Sequence, residues 1–369
     1  MNRFSIVSTL LALTLGVGST SFAQDDDRSK KEERRVLKLS DVDTQTKSEA
    51  YRQMAREKRH ESMKFLKDIL ENRKPQGTQK AEMMLRLAEL YFEEFRDIRL
   101  DEERNFQAQF DQCFNTPGCN SETMKPNYAN SDKWADRAIR LYEVIINDYP
   151  AYQRADQATF FLASSLAEIG KREDAIDHYK NLVRQYQDSL YRADSFVQIG
   201  EYYFDENNAY KALNAYQQAT KYKDSPQYAF ANYKLAWCYY NVGEMGQAIQ
   251  TMKGVVQFSM TASEGSSEQK RVMLQEEALK DLVRFFADAG SMDEAEAYFT
   301  KLGREELIQK MMKRLAGMYF EQGKFEESIR TYRRLIGQDP QSPDAPEYQN
   351  EIIQAYQKMG LKGETEQEI

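Results

Sequence analysis

Small residues twelve positions apart recur through most of this sequence, and the recurrence restricts the chain to folds built from stacked units. Residues 152–188 hold the clearest copy. Ala158, Leu162, Ala163 and Leu166 mark a first segment, and Ala175, Ile176, Tyr179, Leu182 and Val183 a second. Both follow the i, i+3, i+4, i+7 spacing of a helix with one buried face. Gly170 stands between them, where a left-handed residue stops a helix. Ala163 and Ala175 form the small pair, placed where the two helices must approach closely.

The same grammar returns downstream. Gly200 pairs with Ala212 and is followed by Tyr216 and Ala219; Ala236 pairs with Ala248, with Gly243 at the turn. Val283 and Ala295 follow around Gly290, and Ala316 and Ser328 around Gly323. Ala138, Tyr142, Ile145 and Pro150 match the second half of an earlier unit. Successive first-helix positions are 37, 36, 47, 33 and 37 residues apart. A period near 34 with this small–small–aromatic–apolar pattern resembles the tetratricopeptide (TPR) repeat over roughly residues 80 to 360. The resemblance implies an all-α fold: a right-handed superhelical solenoid of about six helix-turn-helix units, with an N-terminal capping helix and an interrupted first repeat. Stacked repeats also suit a chain of 369 residues, because they add core one unit at a time.

The sequence opens with a segment that has the parts of a cleavable export signal. Arg3 is the positive region, residues 4–17 the apolar run, and Ser21-Phe22-Ala23 a small-x-small cleavage site. The run is shorter than the ~20 residues of a membrane helix, which argues against its alternative, an uncleaved anchor. Loss of residues 1–23 removes one Arg and no acid, moving the net charge from −8 to −9. Residues 24–46 are a charged, flexible linker, either a spacer or a docking arm. Residues 47–78 are expected to form the capping helix, with Tyr51, Met54, Phe65, Leu66, Ile69 and Leu70 on its buried face.

The first repeat occupies residues 79–150 and is split. Its small residue Ala88 is followed by Ala138 after 50 positions instead of 12. The insertion continues as helix towards Phe110 and then becomes a loop in which Cys113 and Cys119 flank a Pro-Gly turn. In an exported protein this spacing predicts a local disulfide. Two Cys without a nearby His cannot fill a zinc sphere, and the spacing is wrong for a redox CxxC pair. The remaining units and a terminal capping helix fill residues 151–369. Within them Cys238 reads as a buried free thiol, and residues 261–270 as a lengthened connector.

Catalytic chemistry has little to work with. There are two histidines, His60 and His178, neither with a nucleophile or ligand at useful spacing, so both read as exposed. No metal site, cofactor motif or phosphate loop is recognisable. Acid pairs such as Glu93-Glu94 and Glu326-Glu327 read as solvated helix faces, and the acidic balance argues against nucleic acid.

What the resemblance implies instead is a binding face. In TPR proteins the first helices line a concave groove, and that register assigns to it Phe160, Phe230, Tyr233, Trp237, Tyr240, Lys280, Arg284 and Lys313. Gln157, Ser164, Asp194, Val197, Glu201, Phe204, Lys310 and Phe320 fall on the same face. Aromatics gather in the middle units and cations towards the C-terminal ones. The competing reading is that these aromatics pack within the stack. The junctions YPAYQRADQATFFLA and YKDSPQYAFANYKLA are similar to those of periplasmic TPR proteins of barrel-assembly, Tol–Pal-coordinator and envelope-motility type. That similarity implies a periplasmic, non-enzymatic adaptor for a protein or peptide segment of an envelope complex, not membrane-spanning once its signal is cleaved. The alternative is a structural subunit assembling through its convex face and insertion loop.

Overall fold

The computed structural model describes residues 39–261, 268–289, 292–303 and 305–368, and all the regular structure described is helical. The export signal, most of the charged linker and Gly290 lie outside the described residues. The chain divides into two compact units, one ending at His178 and one beginning at Tyr179.

The first unit opens with α1 (Leu39–Asp68), which ends in a π-helical turn (Ile69–Arg73), so the helix starts eight residues earlier than expected. Then come α2 (Gly77–Phe114), α3 (Ala129–Asp148), α4 (Ala155–Glu168) and the start of α5 (Arg172–Gln185). α2 is 38 residues long, roughly 57 Å at 1.5 Å per residue. α3 returns beside it, its first turn held where Arg99 bonds Ser131 at 2.9 Å and Asp132 at 2.5 Å. The helical part of the insertion therefore runs on past this junction to Phe114 rather than to Phe110. A disulfide joins Cys113 to Cys119, with Cα atoms 5.3 Å apart.

The capping helix buries only part of the apolar side that the sequence suggested. Tyr51, Met54 and Phe65 are 71%, 60% and 59% exposed. Ile69 is buried as expected and Leu66 and Leu70 are half-buried, but α1 docks chiefly through Met63 and three arginines. Arg52 and Arg56 both donate to Asp97, and Arg59 donates to Glu94 at 2.5 Å. Glu94 is only 2% exposed, so of the Glu93-Glu94 pair only Glu93 lies on a solvated face. A paired network of this kind outcompetes a modest apolar stripe because α2 offers buried carboxylates that would otherwise lack partners.

This docking has a pH limit. Burial by itself would raise the Asp97 carboxyl, but hydrogen bonds from Arg52 and Arg56 and their charges overcome it and hold the group below its ordinary 3.8. A carboxylate depressed in the folded state stabilises fully above its unfolded pKa, and the contribution is lost as pH falls through the folded value. Amide exchange in α1 should therefore accelerate relative to α2 and α3 below about pH 4. Equal protection of the three helices at pH 3 and pH 6 would contradict this.

The second unit continues the hairpins: α6 (Arg192–Asp205) with α7 (Ala209–Ala219), α8 (Tyr228–Asn241) with α9 (Met245–Thr261), and α10 (Glu268–Ala289) with α11 (Met292–Lys301). α12 (Glu305–Glu321) with α13 (Phe325–Gln338) and α14 (Ala345–Met359) with the short α15 (Lys362–Glu368) complete it. The 47-residue spacing is absorbed largely by longer helices, since α9 has 17 residues and α10 has 22. Less of it is connector than residues 261–270 suggested.

The turns explain why the hairpins repeat. Gly170, Gly243, Gly323 and Gly360 all have φ between +73° and +85°. Asn207 fills the equivalent place in the third unit at φ +55°. Asparagine is among the few other residues that tolerate this region. In each case the next amide bonds back to a carbonyl five residues earlier, as from Asn208 to Tyr203 at 2.8 Å and from Glu244 to Tyr239 at 2.9 Å. That bond satisfies an orphan carbonyl at the helix end and aims the chain into the second helix.

The small pairs meet as the spacing predicted: Ala163, Ala212, Ala236, Ala248, Ala295 and Ala316 have no exposed surface. Around them Tyr216, Phe285, Phe286, Phe299 and Tyr319 are wholly buried. Burial of an aromatic ring of this size contributes on the order of 1.5–3 kcal/mol.

Candidate functional site

Within the second unit, α8, α10, α12 and α14 are the first helices of successive hairpins. Seven of the eight residues assigned to a binding groove lie on them. Phe160 belongs to α4 of the first unit, where its ring meets Phe161 edge-on at 5.6 Å. Val197, also assigned to this face, is 2% exposed and is a core residue.

The aromatics of α8 are tied to α10. Tyr233 donates its hydroxyl proton to Asp281 at 2.6 Å, and the Trp237 indole N–H donates to the same oxygen at 3.0 Å. Tyr240 donates to Asp288, whose other oxygen accepts from Gln322, just past the end of α12, at 2.6 Å. The Tyr240 ring stacks on Phe285 at 4.7 Å, and Trp237 meets Phe285 edge-on at 5.2 Å. Trp237, Tyr233 and Tyr240 are therefore half-buried links between repeats.

Burial sets the electrostatics of this cluster. It raises the Asp281 carboxyl, and the two donated hydrogen bonds offset only part of that rise. Burial and the bond to Asp288 push the Tyr240 hydroxyl up to about 12, so it remains a donor across the physiological range.

The cations divide into paired and unpaired. Lys280 bonds Glu277 one turn away at 2.8 Å, and Lys313 bonds Glu347 at 2.8 Å while lying over Tyr348. Arg284 is exposed, with its guanidinium 5.9 Å above the Trp237 ring and no carboxylate partner among the described residues. Lys310 is exposed as well. Nearer the N-terminal end of the face, Lys234 pairs with Glu201 at 2.9 Å and covers Phe204 at 4.2 Å. The Phe230 ring lies 5.8 Å from the same ammonium.

Asp281, Asp288, Phe285, Gln322 and Lys234 complete the site without having been singled out from sequence. Their partners are 33 to 48 residues away, and only the first-helix register could have brought them forward.

The other reactive groups are accounted for structurally. Cys238 is fully buried and its thiol is pushed up to about 12 by that burial, which leaves it inert. His60 is not simply exposed: it stacks on Trp134 at 6.0 Å and lies 3.0 Å from Glu94. His178 is half-buried, and burial lowers its pKa. Among the described residues no cluster of His, Cys, Asp and Glu could hold a metal ion, and no helix is long and apolar enough to cross a membrane.

Sequence profiles of a family described as tetratricopeptide repeat match residues 160–189, 197–263 and 281–346. No curated protein matches the chain. Solved structures similar to it include the apo form of RapI, at 12% identity and TM-score 0.40, covering 76% of this chain and 74% of that one. A tetratricopeptide repeat protein from Parabacteroides merdae is 15% identical with TM-score 0.37, covering 65% and 87%. PilW, a type IV pilus biogenesis factor, is 16% identical with TM-score 0.34, covering 58% and 90%.

Proposed function

We propose that this chain, a tetratricopeptide-repeat protein, is a non-enzymatic adaptor that holds an extended partner segment along the first-helix face of α8, α10 and α12. The observation that carries the reading is the exposed guanidinium of Arg284 above the Trp237 ring, unpaired where Lys280 and Lys313 have carboxylates. The hydrogen bonds to Asp281 and Asp288 fix the rings in place, so a partner meets a preorganised surface and orders little on binding. Arg284 then offers a planar pair of donors to a side-chain or terminal carboxylate of that segment. Arg284→Glu should lower capture of the partner from cell extract by about tenfold while leaving the unfolding midpoint unchanged. Equal capture by the two proteins would overturn the reading.

The adaptor is assigned to the periplasm, in a cell-envelope complex. Two features support this: the export-type pattern of residues 1–23 and the Cys113–Cys119 disulfide, which suits an oxidising compartment. Protein isolated from cells should begin at Gln24 and show one free thiol, Cys238, detectable only after denaturation. Three titratable thiols would contradict the assignment.

A second reading, a structural subunit that assembles through its insertion, is favoured by the end of α2. Phe106, Phe110 and Phe114 form a ladder of rings with successive spacings of 6.1 and 6.5 Å, and Phe114 is 73% exposed.

A further inference from the structure

Away from the face formed by α8, α10 and α12, a cleft opens among α5, α6 and α7. Its volume is about 690 Å³. Phe196, Ile199 and Ala215 supply an apolar lining, and Lys180, Arg184 and Lys211 contribute three cations. No carboxylate among the described residues lines it. The Tyr203 ring contacts two of the ammonium groups, with Lys180 at 5.5 Å and Lys211 at 5.0 Å from its centre. The exposed cations Arg184 and Lys211 make the mouth of the cleft locally positive, which favours an anionic occupant. Arg184 and Lys211 are exposed, and Tyr210 at the rim is 75% exposed.

One wall is fixed in advance. Arg192 donates to the Val183 carbonyl at 2.9 Å, to the Gln187 side chain at 2.7 Å and to the Tyr222 hydroxyl at 2.6 Å. These bonds hold the end of α5 against the start of α6 without using the cations of the cleft. Asn214, exposed on α7, adds an amide that can bond an extended backbone.

We propose that this cleft binds an acidic peptide segment of a partner protein, with one apolar side chain on the lining and flanking carboxylates on Arg184 and Lys211. Charge complementarity selects the occupant. The chain as a whole carries −8, so a long polyanion such as nucleic acid is repelled beyond the cleft, whereas a short acidic segment meets only the local cations. The apolar lining separates such a segment from a simple anion, which would leave that surface exposed to water.

The test is fluorescence anisotropy of a labelled decapeptide with a single Phe flanked on both sides by Glu, titrated with the full chain. Saturable binding should weaken about tenfold or more in the Arg184→Glu, Lys211→Glu double variant and stay unchanged in Lys301→Glu, a charge reversal at an exposed residue outside both sites. If charge reversal disturbs the helical circular dichroism, Arg184→Gln with Lys211→Gln should still weaken it severalfold. Absence of saturable binding, equal affinity in the cleft variants, or loss in Lys301→Glu as well would overturn the proposal. So would equal displacement by a Phe-free Glu peptide or by single-stranded oligothymidylate.

Discussion

Phe285→Ala is expected to destabilise the second unit by about 3–5 kcal/mol, the range for removing a buried aromatic ring. Phe285 has no exposed surface, and its ring is covered by Tyr240 on one side and Trp237 at its edge. The cavity cannot close easily, because those two rings are tethered to Asp281 and Asp288. The chain has two tryptophans, Trp134 in the first unit and Trp237 in the second. In a Trp134→Phe background, urea unfolding followed by fluorescence reports the environment of Trp237 alone. A loss below about 1 kcal/mol would mean that the site collapses freely and the cluster is not a fixed platform. The same packing implies that Trp237→Ala mixes lost stability with lost binding. Arg284→Glu is the cleaner probe of the face.

Two glycines in first helices should respond to alanine with opposite signs. A Cβ on Gly200 would lie 2.6 Å from Tyr216 Cε1 and 2.7 Å from its Cζ. Tyr216 is fully buried and its hydroxyl is committed to Glu201, so the ring has nowhere to go. Overpacking of this kind costs about 1–3 kcal/mol, against about 0.5–1 kcal/mol gained from helix propensity. Gly200→Ala should therefore destabilise. At Gly317 the nearest neighbour to a Cβ is the Tyr332 hydroxyl at 3.8 Å, an ordinary contact. Gly317→Ala should stabilise by about 0.5–1 kcal/mol. Paired thermal melts decide it, and shifts of the same sign would contradict the helix crossing at Gly200.

The repeat was legible because its constraints are local. Twelve-residue spacing of small residues and a left-handed turn between them lie within one hairpin, and Ala212, Ala248 and Gly243 could be placed without knowledge of their neighbours. Asn207 shows the limit of that reading, since a turn occupied by asparagine carries a weaker mark than glycine. The docking side of α1 was missed in part, for a different reason. Its apolar residues Tyr51, Met54 and Phe65 share a face, but Arg52, Arg56 and Arg59 find carboxylates 35 to 45 residues away. Periodicity records the first fact and contains nothing of the second.

The candidate face was half legible for the same reason. The register brought Tyr233, Trp237, Tyr240 and Arg284 to one side. That Trp237 donates to Asp281, and that Lys280 and Lys313 are neutralised while Arg284 is not, depends on how neighbouring helices are seated. The cleft among α5, α6 and α7 was not legible at all, because Arg184 and Lys211 belong to different hairpins and neither is unusual in its own helix.

Site-specific photocrosslinking in living cells tests the central claim most directly, with benzoylphenylalanine placed at position 284, at position 114 and at exposed Leu190 as a control. Binding on the first-helix face predicts a discrete adduct from position 284 that maps to one short segment of one partner, and none from position 190. Adducts from position 114 with none from position 284 would contradict it and place the working surface on the disulfide-closed insertion.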